Sequence, residues 1–184
     1  TVNVLINTSL APLTFNDAQH HPSGITLDLL KQIGLRTGLH FNPIESTSAF
    51  AMVERLKRGD ALMIGALGYG AERVKQLRFT RPYLVSPRVL VTRSDQASPV
   101  QAMASNGQRI ALVRGSPQRA MLQQRYPQAS LIEVDNPLGL MEAVVNGNAD
   151  AALSNQINAA YYISHVFKGR LRIASVLDED PAIA

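Results

Sequence analysis

One stretch, residues 61–67, is apolar at nearly every position, and it limits the possible folds more than any other part of the sequence. It reads Ala-Leu-Met-Ile-Gly-Ala-Leu, and a short apolar run of this kind is typical of a strand buried on both faces of a parallel sheet. Parallel strands need crossover connections, which are usually helices. The run therefore predicts an α/β fold of right-handed βαβ units, with mostly parallel sheets flanked by helices.

Patterns typical of strands and helices alternate on both sides of this run. Gly38 and Gly59 follow two helical patterns, Ser48 precedes the second of them, and Asn136 precedes a third that opens with Pro137. The predicted strands cover 2–7, 39–44, 61–67, 88–92, 109–113, 130–134, 150–153 and 170–174, and the predicted helices cover 26–37, 48–58, 117–125, 137–147 and 156–167.

The end of one predicted helix is echoed in the other half of the chain. Residues 58–61 read Arg-Gly-Asp-Ala and residues 146–151 read Asn-Gly-Asn-Ala-Asp-Ala, each at the start of a predicted buried strand. Two lobes built on one plan would produce this echo, with residues 1–91 in the first lobe and 92–176 in the second. Residues 177–184 would start a return to the first lobe and leave it incomplete at its C-terminal end. Facing α/β lobes bind ligands in the cleft outside their strand ends.

Composition argues against several classes of function. The net charge of +4 is spread along the chain and aromatic residues make up only 5%, so we expect no nucleic-acid partner. The chain has no cysteine, and its four histidines lack metal-ligand spacing, so we expect no metal and no cofactor. No apolar run reaches the roughly 18 residues of a membrane helix. We therefore expect membrane attachment only through segments outside this chain.

Arg73 is the residue best suited to bind an anion. Its guanidinium is permanently charged and offers a rigid fork of donors that matches a carboxylate or phosphate. It precedes residues 77–83, which we predict to form an ordered aromatic strand. Gly115 and Ser116 lie at the predicted start of another helix, where N–H groups and the helix dipole favour an anion. Without further context, Arg73 is better explained as a solvated helix charge, and the 115–116 turn equally well as a plain helix cap.

Several short motifs follow one another in a recognisable order: residues 11–13 (Ala-Pro-Leu), 24–29 (Gly-Ile-Thr-Leu-Asp-Leu), 72–73 (Glu-Arg), 79–83 (Phe-Thr-Arg-Pro-Tyr), 113–116 (Val-Arg-Gly-Ser) and 147–152 (Gly-Asn-Ala-Asp-Ala-Ala). In this order, over nearly the whole chain, they resemble the type II periplasmic solute-binding proteins of the amino-acid-binding group. Residues 79–93 and 159–174 are similar, more closely, to the periplasmic Venus-flytrap domains of BvgS-type hybrid sensor histidine kinases. The resemblance implies a two-lobed Venus-flytrap fold.

The resemblance also implies a ligand site. In that family an arginine at the position of Arg73 holds the α-carboxylate of the ligand, helped by the turn at 115–116. Asn155 stands where amino-acid binders carry an aspartate for the ligand ammonium, Leu10 replaces a covering aromatic residue, and Gly68 replaces a hydroxyl residue. The ligand implied is a small anionic metabolite, either an amino acid or another carboxylate. The implied ligand-binding residues are Arg73, Gly68, Ser116, Gly115, Asn155 and Leu10.

The function implied by the resemblance is ligand sensing. The chain would be the periplasmic part of an inner-membrane two-component sensor kinase, would signal by lobe closure, and would form a homodimer through its parent receptor. It would not itself be an enzyme. One alternative is a soluble receptor of an ABC-type amino-acid transporter. Another is an enzyme similar to periplasmic dehydratases, or a regulatory domain like that of a lytic transglycosylase; for an enzyme, Glu72 is the best acid that the predicted cleft loops offer.

Overall fold

The structure is a computed structural model that describes residues 1–96, 107–178 and 182–183. The strands in this part of the chain are β1 (Val2–Ile6), β2 (Ser9–Leu10), β3 (Thr14–Asn16), β4 (Pro22–Ser23), β5 (Phe41–Glu45), β6 (Met63–Ile64), β7 (Leu84–Val85), β8 (Arg88–Arg93), β9 (Arg109–Val113), β10 (Ser130–Val134), β11 (Ala151–Asn155), β12 (Leu171–Asp178) and β13 (Ala182–Ile183). The helices described are α1 (Ile25–Thr37), α2 (Ala49–Lys57), α3 (Ala71–Val74), α4 (Arg119–Arg125), α5 (Pro137–Val145) and α6 (Gln156–His165).

The first lobe is a parallel sheet in the order β5-β1-β6, with α1 and α2 against it. Successive side chains of a strand point to opposite faces of its sheet. Val4 and Ile6 of β1 accordingly pack on Leu30 of α1, whereas Leu5 packs on Met52 of α2. The central strand β1 is thus covered on both faces. The sequence predicts this burial for residues 61–67 instead, and that prediction is wrong, because β6 is an edge strand of the sheet and Leu62 is 74% exposed.

The second lobe is a five-stranded sheet in the order β10-β9-β11-β8-β12, packed with α4, α5 and α6. Strands β9, β10 and β11 are parallel, and β8 runs antiparallel to β11 and β12. The prediction that the first lobe extends to residue 91 is therefore wrong, because β8 belongs to this sheet. Its residues Val89, Leu90 and Val91 are each 0% exposed and contribute to hydrophobic clusters of the second lobe.

The segments that connect the two lobes differ from the predicted ones. Residues 177–178 still belong to β12, and only β13 pairs with β7, outside the five-stranded sheet. The sequence also predicts that polar residues 93–99 form a crossing between the lobes, but Arg93 belongs to β8 and residues 97–99 lie outside the described part of the chain. A small antiparallel meander, β2-β3-β4, contacts α1 of the first lobe and α5 of the second. Ala11, in the loop that joins β2 to β3, belongs to the same buried cluster as Leu140 and Tyr162 of the second lobe.

Glycines end the helices where the sequence predicted. Gly38 has φ 74° and donates to the Gly34 carbonyl, a left-handed cap that costs glycine little. The echo between the two halves is also confirmed. The N–H of Gly59 donates to the carbonyl three residues earlier, and the N–H of residue 60 donates to the carbonyl five residues earlier. The N–H groups of Gly147 and residue 148 donate to carbonyls at the same two separations. Both glycines have positive φ, so one local design ends a helix in each lobe.

One predicted element is shorter than expected, one is absent, and a third buries a narrower face than predicted. The apolar run at 61–67 contributes only two residues to the β ladder. Residues 77–83 form no strand; Tyr83 is held by its hydroxyl, which lies 2.9 Å from Thr26 Oγ1 and donates to the Gly65 carbonyl. In α1, Leu30 is buried while Leu29 and Ile33 remain 36% exposed, so the buried face is narrower than the sequence pattern indicated.

Candidate ligand-binding cleft

A cleft lies between the two lobes, at the carboxyl ends of β1, β9 and β11. It encloses about 120 Å³, which is about ten times the 10–15 Å³ that one water needs. Its lining comprises Asn7, Leu10, Ala49, Met52, Ala66, Leu67, Gly68, Tyr69, Arg73, Arg88, Val113, Ser116, Pro117, Gln118, Pro137, Leu140, Leu153, Ser154, Asn155 and Asn158.

Arg73 reaches across this cleft from the short helix α3. Its Nη1 donates to the Gly68 carbonyl at 2.8 Å, on the same wall, and its Nη2 to the Gly115 carbonyl at 3.4 Å, on the opposite wall. Burial lowers the pKa of Arg73 to about 10, so the side chain stays charged at neutral pH. Among the side chains that the structure describes, no carboxylate lies within ion-pair distance of Arg73. A charged fork held only by two carbonyl oxygens is well placed to exchange one of them for an anion.

The two walls touch at the mouth of the cleft. A Cβ added to Gly70 would lie 2.8 Å from Pro117 Cβ, too close to be tolerated without movement. Gly70 has an extended φ of −170°, so the close approach, and not its backbone conformation, requires glycine there. A Cβ added to Gly115 would lie 3.5 Å from Cδ2 of Phe50, a residue of the first lobe. The lobes are therefore already in contact around Arg73.

The turn at Gly115 and Ser116 differs from the predicted anion site. Helix α4 begins at Arg119, two residues later than predicted, and the Ser116 N–H donates to the Val113 carbonyl. Gly115, at φ 70°, presents its carbonyl oxygen to Arg73. This turn therefore contributes an acceptor to the cleft and not the pair of N–H donors that a helix start would have provided. The Ser116 side chain does line the cleft.

Arg88 is a cleft residue that the sequence reasoning missed. It lies directly opposite Asn155 in the β8–β11 ladder, and both side chains line the cleft. With its amide oxygen turned toward Arg88, Gln118 accepts from Arg88 Nη2 at 2.8 Å and donates to Ser116 Oγ at 2.8 Å. Because β8 is antiparallel to β11, its first residue lies at the edge where β11 ends. Once that pairing is known, the position of Arg88 follows.

The floor of the cleft ties helix α6 to the loop after β1. Asn158 is fully buried, and its Nδ2 donates to the carbonyls of Leu10 at 3.3 Å and Ala11 at 2.8 Å. Tyr162 donates its hydroxyl to the Ser9 carbonyl at 2.7 Å, and burial raises the pKa of this phenol. The Oδ1 of Asn158 has no hydrogen-bond partner among the residues that the structure describes. These bonds fix the position of Leu10 against the second lobe and leave one buried acceptor at the cleft.

The structure thus brings the predicted site residues together. Five of them line the cleft, namely Leu10, Gly68, Arg73, Ser116 and Asn155, and the sixth, Gly115, supplies the carbonyl that Arg73 contacts. In the described part of the chain, no group of three or more His, Asp or Glu side chains could hold a metal ion. No helix described by the structure is both long and apolar enough to cross a membrane.

Comparison with known proteins supports the motif-based resemblance. The chain is 42% identical to the virulence sensor protein BvgS of Bordetella bronchiseptica over 98% of its own length but only 15% of that protein. It is 26% identical to the sensor protein EvgS of Escherichia coli over 92% of the chain and 14% of that protein. The crystal structure of the BvgS periplasmic VFT2 domain from Bordetella pertussis superposes with a TM-score of 0.88 at 41% identity, covering all of this chain and 78% of that one.

These matches confirm the predicted fold class, a two-lobed Venus flytrap of type II with mostly parallel sheets flanked by helices. The family model for bacterial extracellular solute-binding proteins, family 3, matches residues 2–163. That match includes both walls of the cleft, with Arg73 on one and Ser116 and Asn155 on the other. The chain therefore belongs to family 3 of the bacterial extracellular solute-binding proteins.

Proposed function

We propose that this chain is the periplasmic ligand-sensing domain of a two-component sensor histidine kinase, and that it binds a small carboxylate between its lobes. The observation that carries the proposal is the position of Arg73, which is charged and whose described bonds go only to carbonyl oxygens of the two walls. A bidentate carboxylate matches its donor fork better than two separate carbonyls do. The ligand carboxylate would take the place of the longer bond, that to Gly115.

Replacing that bond changes a contact between the lobes, which is how binding becomes a signal. The Arg73–Gly115 bond and the Gly70–Pro117 contact both join the first lobe to the second at the cleft mouth. The ligand would replace the Arg73–Gly115 bond with its own contacts to both walls, and it would stabilise the arrangement of lobes in which both walls reach it. The free energy available for the signal is set by how much more tightly the ligand binds the closed arrangement of the lobes than the open one.

The sensor assignment rests on the relatives. BvgS and EvgS are named as sensor proteins, and this chain spans about a seventh of their length. The kinase activity, the membrane anchor and a homodimer of the parent receptor accordingly belong to the proposal. The length of the gene that encodes this chain separates a sensor, which continues into a membrane helix, from a transport receptor, which ends after its last lobe element.

The described cleft gives no support to an enzyme. Glu72, the best acidic candidate in the predicted loops, does not line the cleft. Its side chain is exposed and pairs with Lys75 Nζ at 2.7 Å. Within the described lining there is no carboxylate or imidazole to act as a general acid or base.

A thermal-shift screen of small carboxylates on the full-length protein tests the proposal. A ligand present at about 100 times its dissociation constant adds about 2.7 kcal/mol of stability, which is readily seen as a rise in Tm. Methyl esters of the same acids serve as matched controls, since they retain the carbon skeleton and lack the charge. A protein that no carboxylate stabilises, or that the esters stabilise equally, would refute carboxylate sensing.

A further inference from the structure

We propose that the cleft selects a carboxylate that carries an uncharged hydrogen-bond donor, such as a hydroxyl, and that it discriminates against an ammonium. This inference rests on the proposed function, because it concerns the ligand of the same cleft. It chooses between the two classes that the family resemblance left open, amino acids and other carboxylates.

The charges around the cleft argue against an ammonium. In the described part of the lining, the only ionisable side chains are the guanidinium groups of Arg73 and Arg88 and the phenol of Tyr69. Helices α5 and α6 also begin at the cleft, where Pro137 and Asn155 line it, and the N-terminus of a helix carries partial positive charge. A zwitterion would place its ammonium beside the Arg73 guanidinium and these helix N-termini, and the described lining holds no carboxylate. An ammonium removed from water without an anion is strongly disfavoured.

Asn158 supplies the argument for an uncharged donor. Its side chain is 0% exposed, and it lines the cleft. Both of its described hydrogen bonds are made by Nδ2, which contacts two backbone carbonyls. That arrangement sets the amide orientation and leaves Oδ1 as a buried acceptor with no partner in the described part of the chain. A buried acceptor without a donor is unusual in a folded protein, and a ligand hydroxyl would satisfy it without bringing a charge.

Asn155 and Asn158 are three residues apart and both line the cleft, so they present two neutral amides on one side of it. An amide oxygen accepts a hydrogen bond from a hydroxyl as readily as from an ammonium, but it cannot neutralise the ammonium. Changing Asn155 to aspartate would provide that charge at a position whose side chain makes no described hydrogen bond. This substitution should therefore shift the preference of the cleft toward amino acids.

Three compounds with one carbon skeleton test the inference by calorimetry on the full-length protein. They are 4-methylpentanoate, L-2-hydroxy-4-methylpentanoate and L-leucine, which differ only in the hydrogen, hydroxyl or ammonium on the α-carbon. We expect the hydroxy acid to bind most tightly, the plain acid at least about threefold more weakly, and leucine more weakly than either. Leucine binding as tightly as the hydroxy acid would overturn the inference and leave carboxylate sensing intact. Failure of all three to bind would count against both proposals.

The variant Asn155→Asp provides the second arm. We expect leucine to gain about tenfold in affinity and 4-methylpentanoate to lose affinity, because the new carboxylate pairs with an ammonium and repels an acid. Asn148→Asp is the matched control, since Asn148 is exposed and does not line the cleft. If Asn155→Asp changes the ranking no more than Asn148→Asp does, the charge argument is wrong. The charge argument would be supported if leucine bound more tightly than 4-methylpentanoate in Asn155→Asp but not in Asn148→Asp.

Discussion

Replacing Arg73 with methionine separates the binding role of this arginine from any structural role. A carboxylate held by the guanidinium fork gains two charge-assisted hydrogen bonds, each of about 1.5–3 kcal/mol. Losing both amounts to at least about 3 kcal/mol, and every 1.4 kcal/mol is about tenfold in affinity. We therefore expect Arg73→Met to weaken carboxylate binding by at least about 100-fold in calorimetry.

The same substitution should change the stability of the protein very little. Burial lowers the pKa of Arg73, which means that the folded state disfavours its charge, and methionine removes that penalty. Against this gain stands the loss of one good bond to Gly68 and one long bond to Gly115. Because the two effects oppose each other, we expect the free energy of unfolding to change by less than about 1 kcal/mol. Chemical denaturation without ligand measures it.

Two further variants sharpen the test. Arg73→Lys keeps the charge but loses the fork, so its affinity should fall between those of the wild type and Arg73→Met. Arg78→Met is the matched control, because Arg78 is an exposed arginine that lies outside the cleft, and it should bind like the wild type. Unchanged binding by Arg73→Met would refute the clamp. A loss of stability above about 2 kcal/mol would instead make Arg73 a structural residue.

Two other predictions concern stability. Tyr162→Phe removes the hydroxyl that donates to the Ser9 carbonyl at 2.7 Å, and it should lower the free energy of unfolding, measured in urea, by about 1 kcal/mol. Tyr161→Phe is the control, because the Tyr161 hydroxyl makes no described hydrogen bond. Equal losses of stability in the two variants would contradict the prediction. The Arg109 guanidinium holds the pKa of Asp150 below its usual value, so this ion pair should stabilise the protein above about pH 4 and lose its effect as the pH falls toward the lower, folded-state pKa. Asp150→Asn should then be less stable than the wild type at pH 7, and its urea midpoint should fall less between pH 7 and pH 3. If the midpoints of the two proteins fall equally over this range, the role of the pair is refuted.

Local features of the fold could be predicted because their causes are local. Gly38, Gly59 and Gly147 end helices in the left-handed conformation, which depends on only a few neighbouring residues. Asn136 caps its helix by accepting from the Gly139 N–H at 2.9 Å, and Pro137 follows at the first helical position. The alternation of strands and helices could be predicted for the same reason. The resemblance to the family rested on the order of the short motifs.

The candidate site could be predicted in part, for a related reason. Leu10, Gly68, Arg73, Ser116 and Asn155 all line the cleft, because loops at the ends of parallel strands meet at one edge of a sheet. What each of them offers to a ligand was less predictable. The 115–116 turn was expected to present N–H donors, but the later start of α4 leaves it presenting a carbonyl oxygen to Arg73.

By itself, the sequence determined the α/β class, the helix ends, the repeated lobe design and the family of this protein, since each depends on local conformation or on motif order. Only the tertiary structure decided that β8 belongs to the second sheet, because its apolar pattern would suit a buried strand in either lobe. That pairing sets Arg88 opposite Asn155 at the cleft. The Oδ1 of Asn158 has no partner among the described residues, and its orientation is set by carbonyls nearly 150 residues earlier in the sequence. Local sequence patterns do not reveal contacts at that separation.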